Sequence, residues 1–399
     1  MPLQRLRRVL EADYRVRIES TNDLVALVNS RVEKRRRVFQ AKGEAPPVFK
    51  NAGVFSPLQG WRDWNIRAID LLHKIGFLTT PSWTNMARLS ASWATRRYFW
   101  AIVEPAGQPS GLRLSNDARR MDFHQKTLLS DEFGIGMAGL LIEQFFSAGS
   151  FVDISVALGD PTMYQDIDLE GDTQPDYLMW GDGDNSPYYV VECKGSQSSR
   201  NSSYHQLRRG LEQVPSVVFG AGPRQVFTIV VATCMLEDRT EVFVLDPPPD
   251  APDDEGAQNE SAERVSERTG KRAWRIHNVE AFQKRAMIAE ESNLLKWAGQ
   301  YQTAAERDRR LEKVRPESIG MPNAPLEIRR SDFGIFRGIE EPLFPALGAR
   351  KLRIFTGVEE ELLHSIIHEH PYKTPEIQLH LPPNVSVSRS GSCMVIEGV

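Results

Sequence analysis

Three residues that can do metal-dependent chemistry flank two short apolar runs between residues 174 and 195. Asp176 comes directly before the run Y-L-M-W, and Glu192 comes directly after the run Y-Y-V-V, with Lys194 two residues further on. The turn sequence G-D-G-D-N separates the runs, which predicts a β-hairpin. Because successive side chains of a strand point to opposite faces, Glu192 and Lys194 share a face and Cys193 points away. If Asp176 begins the partner strand, its carboxylate lies beside Glu192.

Two carboxylates placed side by side in a partly buried site repel each other unless a cation lies between them. Mg²⁺ suits carboxylate ligands, keeps several waters and accepts phosphate oxygens in its remaining positions. A lysine beside such a site can orient the attacking water or neutralise charge that develops on a phosphate. The residues therefore predict cleavage of phosphodiester bonds. The alternative is a surface hairpin in which Glu192 and Lys194 form an ordinary ion pair.

In this hairpin the sequence resembles the PD-(D/E)xK nuclease superfamily, which has the restriction-endonuclease-like fold. Pro175-Asp176 is similar to the PD half of the motif, and Glu192-Cys193-Lys194 is similar to the other half. The resemblance covers residues 130 to 232 and is greatest to Mrr-like restriction enzymes. It implies that Asp176 and Glu192 bind Mg²⁺, for which Mn²⁺ can substitute, and that Lys194 assists the attacking water.

Two further site residues follow from the same resemblance. Some relatives carry an additional metal-ligating or metal-adjacent glutamate on the helix before the first core strand, and Glu143 matches that position. Mrr-like enzymes commonly have a Gln-Leu pair after the third strand, and Gln206-Leu207 looks similar. Gln206 is then expected to hydrogen-bond the metal-bound water or a phosphate, with Arg208 and Arg209 near the nucleic-acid backbone. For both Glu143 and Gln206 the alternative is a solvated side chain.

The patterns around the hairpin predict an α/β core with the order helix, three strands, helix, strand. Ser130 can cap a helix that continues to Phe146, and residues 151–158 are predicted to form the first strand. A helix that ends before Pro215 and an apolar strand over residues 225–233 follow the hairpin. The glycines of the first helix match G-x-G-x-x-G, but no apolar strand precedes them, so they favour close packing against the sheet over a dinucleotide site.

Length and composition describe an ordinary soluble protein with room for several domains. The chain has 399 residues, of which 41% are hydrophobic and 26% are charged, and its net charge is −4. Its three cysteines are too few for a disulfide framework, and we see neither a secretory signal nor an apolar stretch long enough for a membrane span. These features predict a cytoplasmic protein without membrane contact.

Charge is distributed unevenly along the chain. Residues 1–130 contain 22 Lys/Arg against 11 Asp/Glu, so a polyanion is expected to dock on this end. The predicted divisions are a mainly helical basic region (1–128), the nuclease core (129–246), an acidic Pro-rich linker (247–264), and a smaller helical and α+β region of unknown role (265–399). Within the basic region, Arg35, Arg36 and Arg37 are candidates for phosphate contacts.

Part of the basic region weakly resembles a winged helix. Helices are predicted from Trp61 to Gly76 and from Thr84 to Arg97, and a hairpin from residues 98–103 and 112–120. In this interpretation four arginines face the nucleic acid: Arg88, Arg96, Arg97 and Arg113. The alternatives are a helical scaffold or an interface for a partner protein.

Taken together, the sequence predicts a Mg²⁺-dependent endonuclease that acts on nucleic acid, with double-stranded DNA the expected substrate, in restriction or antiviral defence. A second hypothesis is a nucleic-acid-binding regulator or sensor on a degenerate nuclease fold. A third is a subunit that cleaves only with a partner protein, and a homodimer is also open. The sequence does not separate DNA from RNA.

Overall fold

The computed structural model describes residues 2–47, 49–79, 87–107, 110–146, 148–158, 167–168, 174–181, 186–219, 226–247, 274–276, 279–311, 323–324, 326–332, 334–343, 352–370 and 381–398. The helices in this part of the chain are α1 Pro2–Leu10, α2 Asn22–Ala41, α3 Ala68–Leu78, α4 Ala87–Tyr98, α5 Asn116–Arg120, α6 Phe123–Phe146, α7 Ile154–Leu158, α8 Arg200–Gln213, α9 Val279–Trp297, α10 Tyr301–Arg310 and α11 Glu360–Ile367. The strands are β1 Asp13–Ser20, β2 Gly60–Arg67, β3 Ser110–Gly111, β4 Ala148–Asp153, β5 Ile167–Asp168, β6 Tyr177–Gly181, β7 Tyr188–Ser196, β8 Val217–Phe219, β9 Val226–Met235, β10 Thr240–Leu245, β11 Trp274–Ile276, β12 Glu327–Ser331, β13 Gly334–Pro342, β14 Arg353–Glu359, β15 Val385–Val387 and β16 Ser392–Glu397. This is a mixed α/β protein, as the sequence predicts.

A central mixed sheet organises the molecule. Its strands follow the order β2-β1-β10-β9-β7-β6-β4, and the short β3 pairs with β1. Strands β9 and β10 are almost entirely buried because apolar side chains cover both faces of the sheet. Coverage on both faces explains why these strands are continuous β-branched runs instead of alternating ones.

The elements around the hairpin occur in the predicted order of helix, three strands, helix and strand. Helix α6 leads into β4, β6 and β7, which pair in antiparallel fashion, and α8 then connects β7 to the parallel strand β9. The first strand is shorter than predicted, because β4 ends at Asp153 and residues 154–158 form α7. Asp153 causes this change by accepting a hydrogen bond from the backbone N–H of Ser155, which starts the helix.

The N-terminal region contributes strands as well as helices. Residues 60–67, predicted to begin a helix, form β2 and pair with β1 along its whole length. Trp64 and Ile66 point to the core while Asn65 is exposed, so the local alternation favours a strand. The segments predicted as the hairpin of a winged helix share only an isolated bridge between Ile102 and Leu114. In the described residues, this region completes the central sheet and does not form a winged helix.

The C-terminal region forms a second sheet of five strands in the order β12-β13-β14-β16-β15, with α11 beside it. Helices α9 and α10 are separated at Gly299, whose φ of 81° is left-handed. Most of the predicted acidic linker lies outside the described residues. Within the described part of the chain, no helix has both the length and the apolar character needed to cross a membrane.

Candidate active site

The structure brings the side chains of Asp176, Glu192 and Lys194 together. Tyr177 of β6 pairs with Val191 of β7, so Asp176 and Glu192 occupy the next cross-strand position. A carboxylate oxygen of Asp176, Oδ2, accepts a hydrogen bond of 2.7 Å from the backbone N–H of Cys193. The ammonium group of Lys194 forms an ion pair with Glu192 Oε1. Glu192 is fully buried in this pair, whereas the side chain of Lys194 is 21% exposed.

Helix α8 covers the face of the sheet that carries Glu192. A Cβ added at Gly210 would lie 3.2 Å from Cγ of Glu192 and would overlap Val230, so only glycine lets α8 approach this closely. The amide of Gln206 donates a hydrogen bond of 2.8 Å to the carbonyl of Gly195. Its Oε1 is buried and has no hydrogen-bond partner among the described residues. Gln206 therefore fixes the backbone next to Lys194 and keeps an acceptor available.

Helix α6 packs against the opposite face of the same strand. A Cβ at Gly195 would overlap the carbonyl of Ser130, and a Cβ at Gly134 would lie 2.8 Å from the carbonyl of Lys194. Gly134 and Gly195 thus allow the main chains of α6 and β7 to come into direct contact. The other glycines of the predicted close-packing face, Gly136 and Gly139, pack against α3 instead of the sheet.

Burial and mutual repulsion raise the pKa values of both carboxyl groups. Burial raises the pKa of Glu192 to about 8, the neighbouring Asp176 adds to the rise, and Lys194 opposes it. Burial likewise raises the pKa of Asp176 against the opposing effect of Lys194. Burial by itself lowers the pKa of Lys194, but the carboxylates of Glu192 and Asp176 reverse this effect and raise the pKa. At neutral pH the metal-free site therefore keeps a proton on its carboxylate pair, with Lys194 as an ammonium ion.

Two more acidic residues lie at this site, and sequence reasoning did not place them together. Asp131 of α6 and Asp153 at the end of β4 both add to the rise in the pKa of Asp176 that burial causes. No local pattern identifies them, because their proximity depends on how α6 crosses the sheet.

A cavity of about 360 Å³ opens beside these acids. Its wall includes Asp131, Glu132, Asp153 and Tyr177, together with apolar side chains of α6, β4 and α9. That volume accommodates a nucleotide-sized group. The carboxylate cluster therefore borders a space that a substrate can enter.

The structure does not bring Glu143 to this site. Glu143 pairs with the buried ammonium group of Lys74 at 2.9 Å and accepts hydrogen bonds from the hydroxyl of Ser388 and the backbone N–H of Arg389. A helix rises about 1.5 Å per residue, so Glu143 lies about 13 Å along α6 from Gly134, the residue that contacts Lys194. Glu143 therefore holds the C-terminal region against α6 and α3. The resemblance predicts a metal-binding role for Glu143 instead, and its contacts in the structure differ from that prediction.

The residues present fit a hard divalent cation with two protein ligands. Among the described residues, no group of three or more His, Cys, Asp and Glu side chains is arranged to hold a metal ion. Asp176 and Glu192 nevertheless form a buried carboxylate pair whose repulsion Lys194 relieves only in part. Mg²⁺ is commonly bound through one or two carboxylates, with waters and substrate phosphates completing its shell.

Two of the four arginines predicted to face nucleic acid from the N-terminal region make contacts within the protein. Arg96 donates hydrogen bonds to the backbone carbonyls of Pro342 and Leu343. Arg97 lies over the rings of Trp93 and Tyr98, which are 5.2 and 5.4 Å from its guanidinium carbon. The side chain of Arg88 lies outside the described residues. These contacts give Arg96 a structural role.

The fold and the site define a mixed α/β protein with a buried carboxylate pair and a lysine at the paired strands β6 and β7 of its central sheet. No protein-family model matches the chain, and comparisons with curated proteins and with solved structures give no significant match.

Proposed function

We propose that this protein is a Mg²⁺-dependent nuclease that cleaves phosphodiester bonds of DNA. The observation that carries the proposal is the cross-strand pair of Asp176 and Glu192 with the ammonium group of Lys194 beside it. An acid pair of this kind is costly to bury, and two acids that act on Asp176, Asp131 and Asp153, line a cavity. This arrangement favours a functional role over a stabilising one.

The order of elements around the pair supports the restriction-endonuclease-like fold as part of the proposal. Asp176 immediately precedes the second strand and Glu192 lies on the third, with α6 before the strands and α8 after them. The resemblance to Mrr-like enzymes suggests restriction or antiviral defence as the setting. That setting rests on analogy of sequence alone.

Asp176 and Glu192 are the residues that would hold the metal ion. When bound, Mg²⁺ supplies Lewis-acid polarisation of a phosphodiester and lowers the pKa of a coordinated water. Glu192 must release its proton before it can act as a ligand, because a protonated carboxyl group is a poor ligand for a hard cation. Metal binding is therefore expected to strengthen as the pH approaches the raised pKa of Glu192, which is about 8.

The protein's own side chains then have distinct tasks. Lys194 stays protonated because the neighbouring carboxylates raise its pKa, so it can donate a hydrogen bond to the attacking water or to a phosphate oxygen. Gln206 holds the backbone of Gly195 and offers its free Oε1 as an acceptor for a water proton. Helix α8 excludes solvent from Glu192, which strengthens these interactions.

Incubation of the purified full chain with plasmid, linear duplex DNA and RNA tests the proposal, in Mg²⁺, Mn²⁺ or EDTA. We expect cleavage of duplex DNA in Mg²⁺ and Mn²⁺ and none in EDTA. Asp176→Ala removes a metal ligand, and Lys194→Ala removes the hydrogen-bond donor. Both variants should lose cleavage and retain nucleic-acid binding.

Matched controls are available on the protein surface. Asp63 and Lys284 are exposed residues, so Asp63→Ala and Lys284→Ala should cleave like the unmodified chain. Undiminished cleavage by Asp176→Ala or by Lys194→Ala would remove the assignment.

One observation favours the second hypothesis, a nucleic-acid-binding regulator on a degenerate nuclease fold. Lys194 pairs directly with Glu192, and among the described residues no group of three or more His, Cys, Asp and Glu side chains is arranged to hold a metal ion. If the ammonium group occupies that position permanently, the site cannot take a cation. DNA binding that is equal in Mg²⁺ and in EDTA, with no cleavage in either, would establish the regulator.

A further inference from the structure

Helices α2 and α8 pack side by side on one face of the central sheet. Leu24, Val28 and Val32 of α2 join Leu207 and Leu211 of α8 in one apolar cluster. The two helices carry eight Lys/Arg against three Asp/Glu. Since the inward faces are apolar, the positive charge lies on the outward faces.

The outward faces meet in a continuous basic surface, which we call the α2–α8 ridge. It consists of Arg31, Lys34 and Arg35 from α2 and His205 and Arg209 from α8. Lys34, Arg35, His205 and Arg209 are exposed. The spacing of three and four residues within each helix places these side chains in rows.

Arg31 joins the two rows. Its guanidinium donates a hydrogen bond of 2.7 Å to Oδ1 of Asn201 and lies 3.0 Å from Nε2 of His205. Burial lowers the pKa of His205, and the positive charges of Arg31, Arg208, Arg209 and Lys34 lower it further. The imidazole is therefore neutral, with Nε2 as an acceptor and a proton on Nδ1.

Several cations of the ridge have no acidic partner. Two of the three acids of these helices are engaged by other arginines, since Glu33 pairs with Arg36 and Glu212 pairs with Arg208. Among the residues that the structure describes, Lys34 and Arg209 make no ion pair, and Arg35 lies over the ring of Phe39. The positive charge of the ridge is therefore not neutralised by acidic neighbours. A polyanion can bind there even though the net charge of the whole chain is −4.

The same helix that carries half of the ridge also covers the candidate active site. Gly210 lies against Glu192, and Gln206 hydrogen-bonds the residue after Lys194. Arg209 precedes Gly210 in the chain, so it lies within about one helical turn, roughly 5.4 Å along the helix axis, of the level of Glu192. The ridge therefore lies on the helix that covers Glu192, whereas the cavity is lined by residues of α6, β4 and α9.

We infer that the α2–α8 ridge binds the phosphate backbone of double-stranded DNA and positions it for the candidate active site. This inference rests on the proposed nuclease function and adds the surface through which the substrate docks. Arginine fits phosphate because its planar guanidinium donates two parallel hydrogen bonds. The Nδ1 proton of His205 provides a neutral donor among the cations.

The size of the effect follows from counterion release. Each phosphate that a cation neutralises contributes about −0.9 to the slope of log K against log salt concentration. Removal of one such contact should lower the affinity about eightfold at roughly 0.1 M salt. Charge reversal adds repulsion, so Arg35→Glu or Arg209→Glu should weaken binding by at least that factor.

Fluorescence anisotropy with a labelled DNA duplex, measured in EDTA over a range of NaCl concentrations, tests the inference on the full chain. Arg35→Glu and Arg209→Glu should bind at least about eightfold more weakly and with a salt slope smaller by about 0.9. The matched control is Arg330→Glu on the C-terminal sheet, an exposed residue whose reversal changes the net charge equally. It should bind like the unmodified chain.

Equal affinities of the Arg209→Glu, Arg35→Glu and Arg330→Glu variants would overturn the inference. So would a complete lack of duplex binding, or tighter binding of an RNA duplex than of the DNA duplex. Cleavage measured in parallel keeps the two proposals separate. If binding depends on the ridge but no metal supports cleavage, the nuclease proposal fails and the ridge stands. If all variants bind and cleave alike, the ridge fails and the nuclease stands.

Discussion

Replacement of Glu192 by glutamine should change how the stability of the metal-free protein depends on pH. The carboxyl group of Glu192 is fully buried, and burial together with Asp176 raises its pKa from 4.5 to about 8. Between these two values the folded protein holds a proton that the unfolded chain has released. The stabilisation that the Glu192 carboxyl group adds to the free energy of unfolding is therefore largest below pH 4.5. It is lost as the pH rises through about 8.

The magnitude follows from the linkage relation. One proton bound only by the folded state lowers the free energy of unfolding by roughly 1.4 kcal/mol per pH unit, or about 5 kcal/mol at most over the whole window. An unfolding entropy of about 2.1 cal/mol/K per residue gives about 0.8 kcal/mol/K for a chain of this length. The melting temperature of the unmodified protein should thus fall about 1.7 °C more per pH unit than that of Glu192→Gln.

Differential scanning fluorimetry in EDTA between pH 5 and pH 8 measures this difference. The quantity to compare is the slope of melting temperature against pH. The absolute melting temperature is less informative, because loss of the ion pair with Lys194 shifts it in the variant by a similar amount at every pH. Glu280→Gln removes an exposed carboxylate and should follow the unmodified protein. Added Mg²⁺ should flatten the slope of the unmodified protein and leave that of Glu192→Gln unchanged. Parallel slopes for Glu192→Gln and the unmodified protein would refute the assignment of a proton to Glu192.

Two further substitutions probe the site and its surroundings. Gly210→Ala places a methyl group against Glu192 and Val230, so cleavage of plasmid DNA should fall at least about tenfold, whereas Gly107→Ala, which has open space around it, should have no effect. Activity of Gly210→Ala equal to that of Gly107→Ala would contradict this view of the packing. Glu143→Ala leaves the Lys74 ammonium buried without its carboxylate, which should lower the free energy of unfolding by about 3–5 kcal/mol in denaturant titrations and leave Mg²⁺ affinity in calorimetry unchanged. Loss of Mg²⁺ binding at full stability would instead make Glu143 a ligand.

The sequence by itself determined the part of the site that local geometry controls. Asp176, Glu192 and Lys194 belong to one hairpin, so the alternation of side chains and the pairing register place them together without help from the rest of the fold. The succession of elements from α6 to β9 was likewise readable, because each strand is a compact apolar run. Gln206 was proposed for the site from the resemblance of Gln206-Leu207 to the Gln-Leu pair of Mrr-like enzymes, and its hydrogen bond to Gly195 places it beside Lys194.

Only the tertiary structure decided where distant elements meet. Helix α6 touches the hairpin near Gly134 and continues past it, so Asp131 joins the acids while Glu143 lies on another surface. Arg31 and His205 are 174 residues apart and still form one contact of the α2–α8 ridge. The local alternation of residues 60–67 favours a strand, but the pairing of that strand with β1 depends on tertiary structure. Hydrophobic periodicity specifies which face of an element is buried, but the partner and the point of contact depend on packing between segments that no local pattern links.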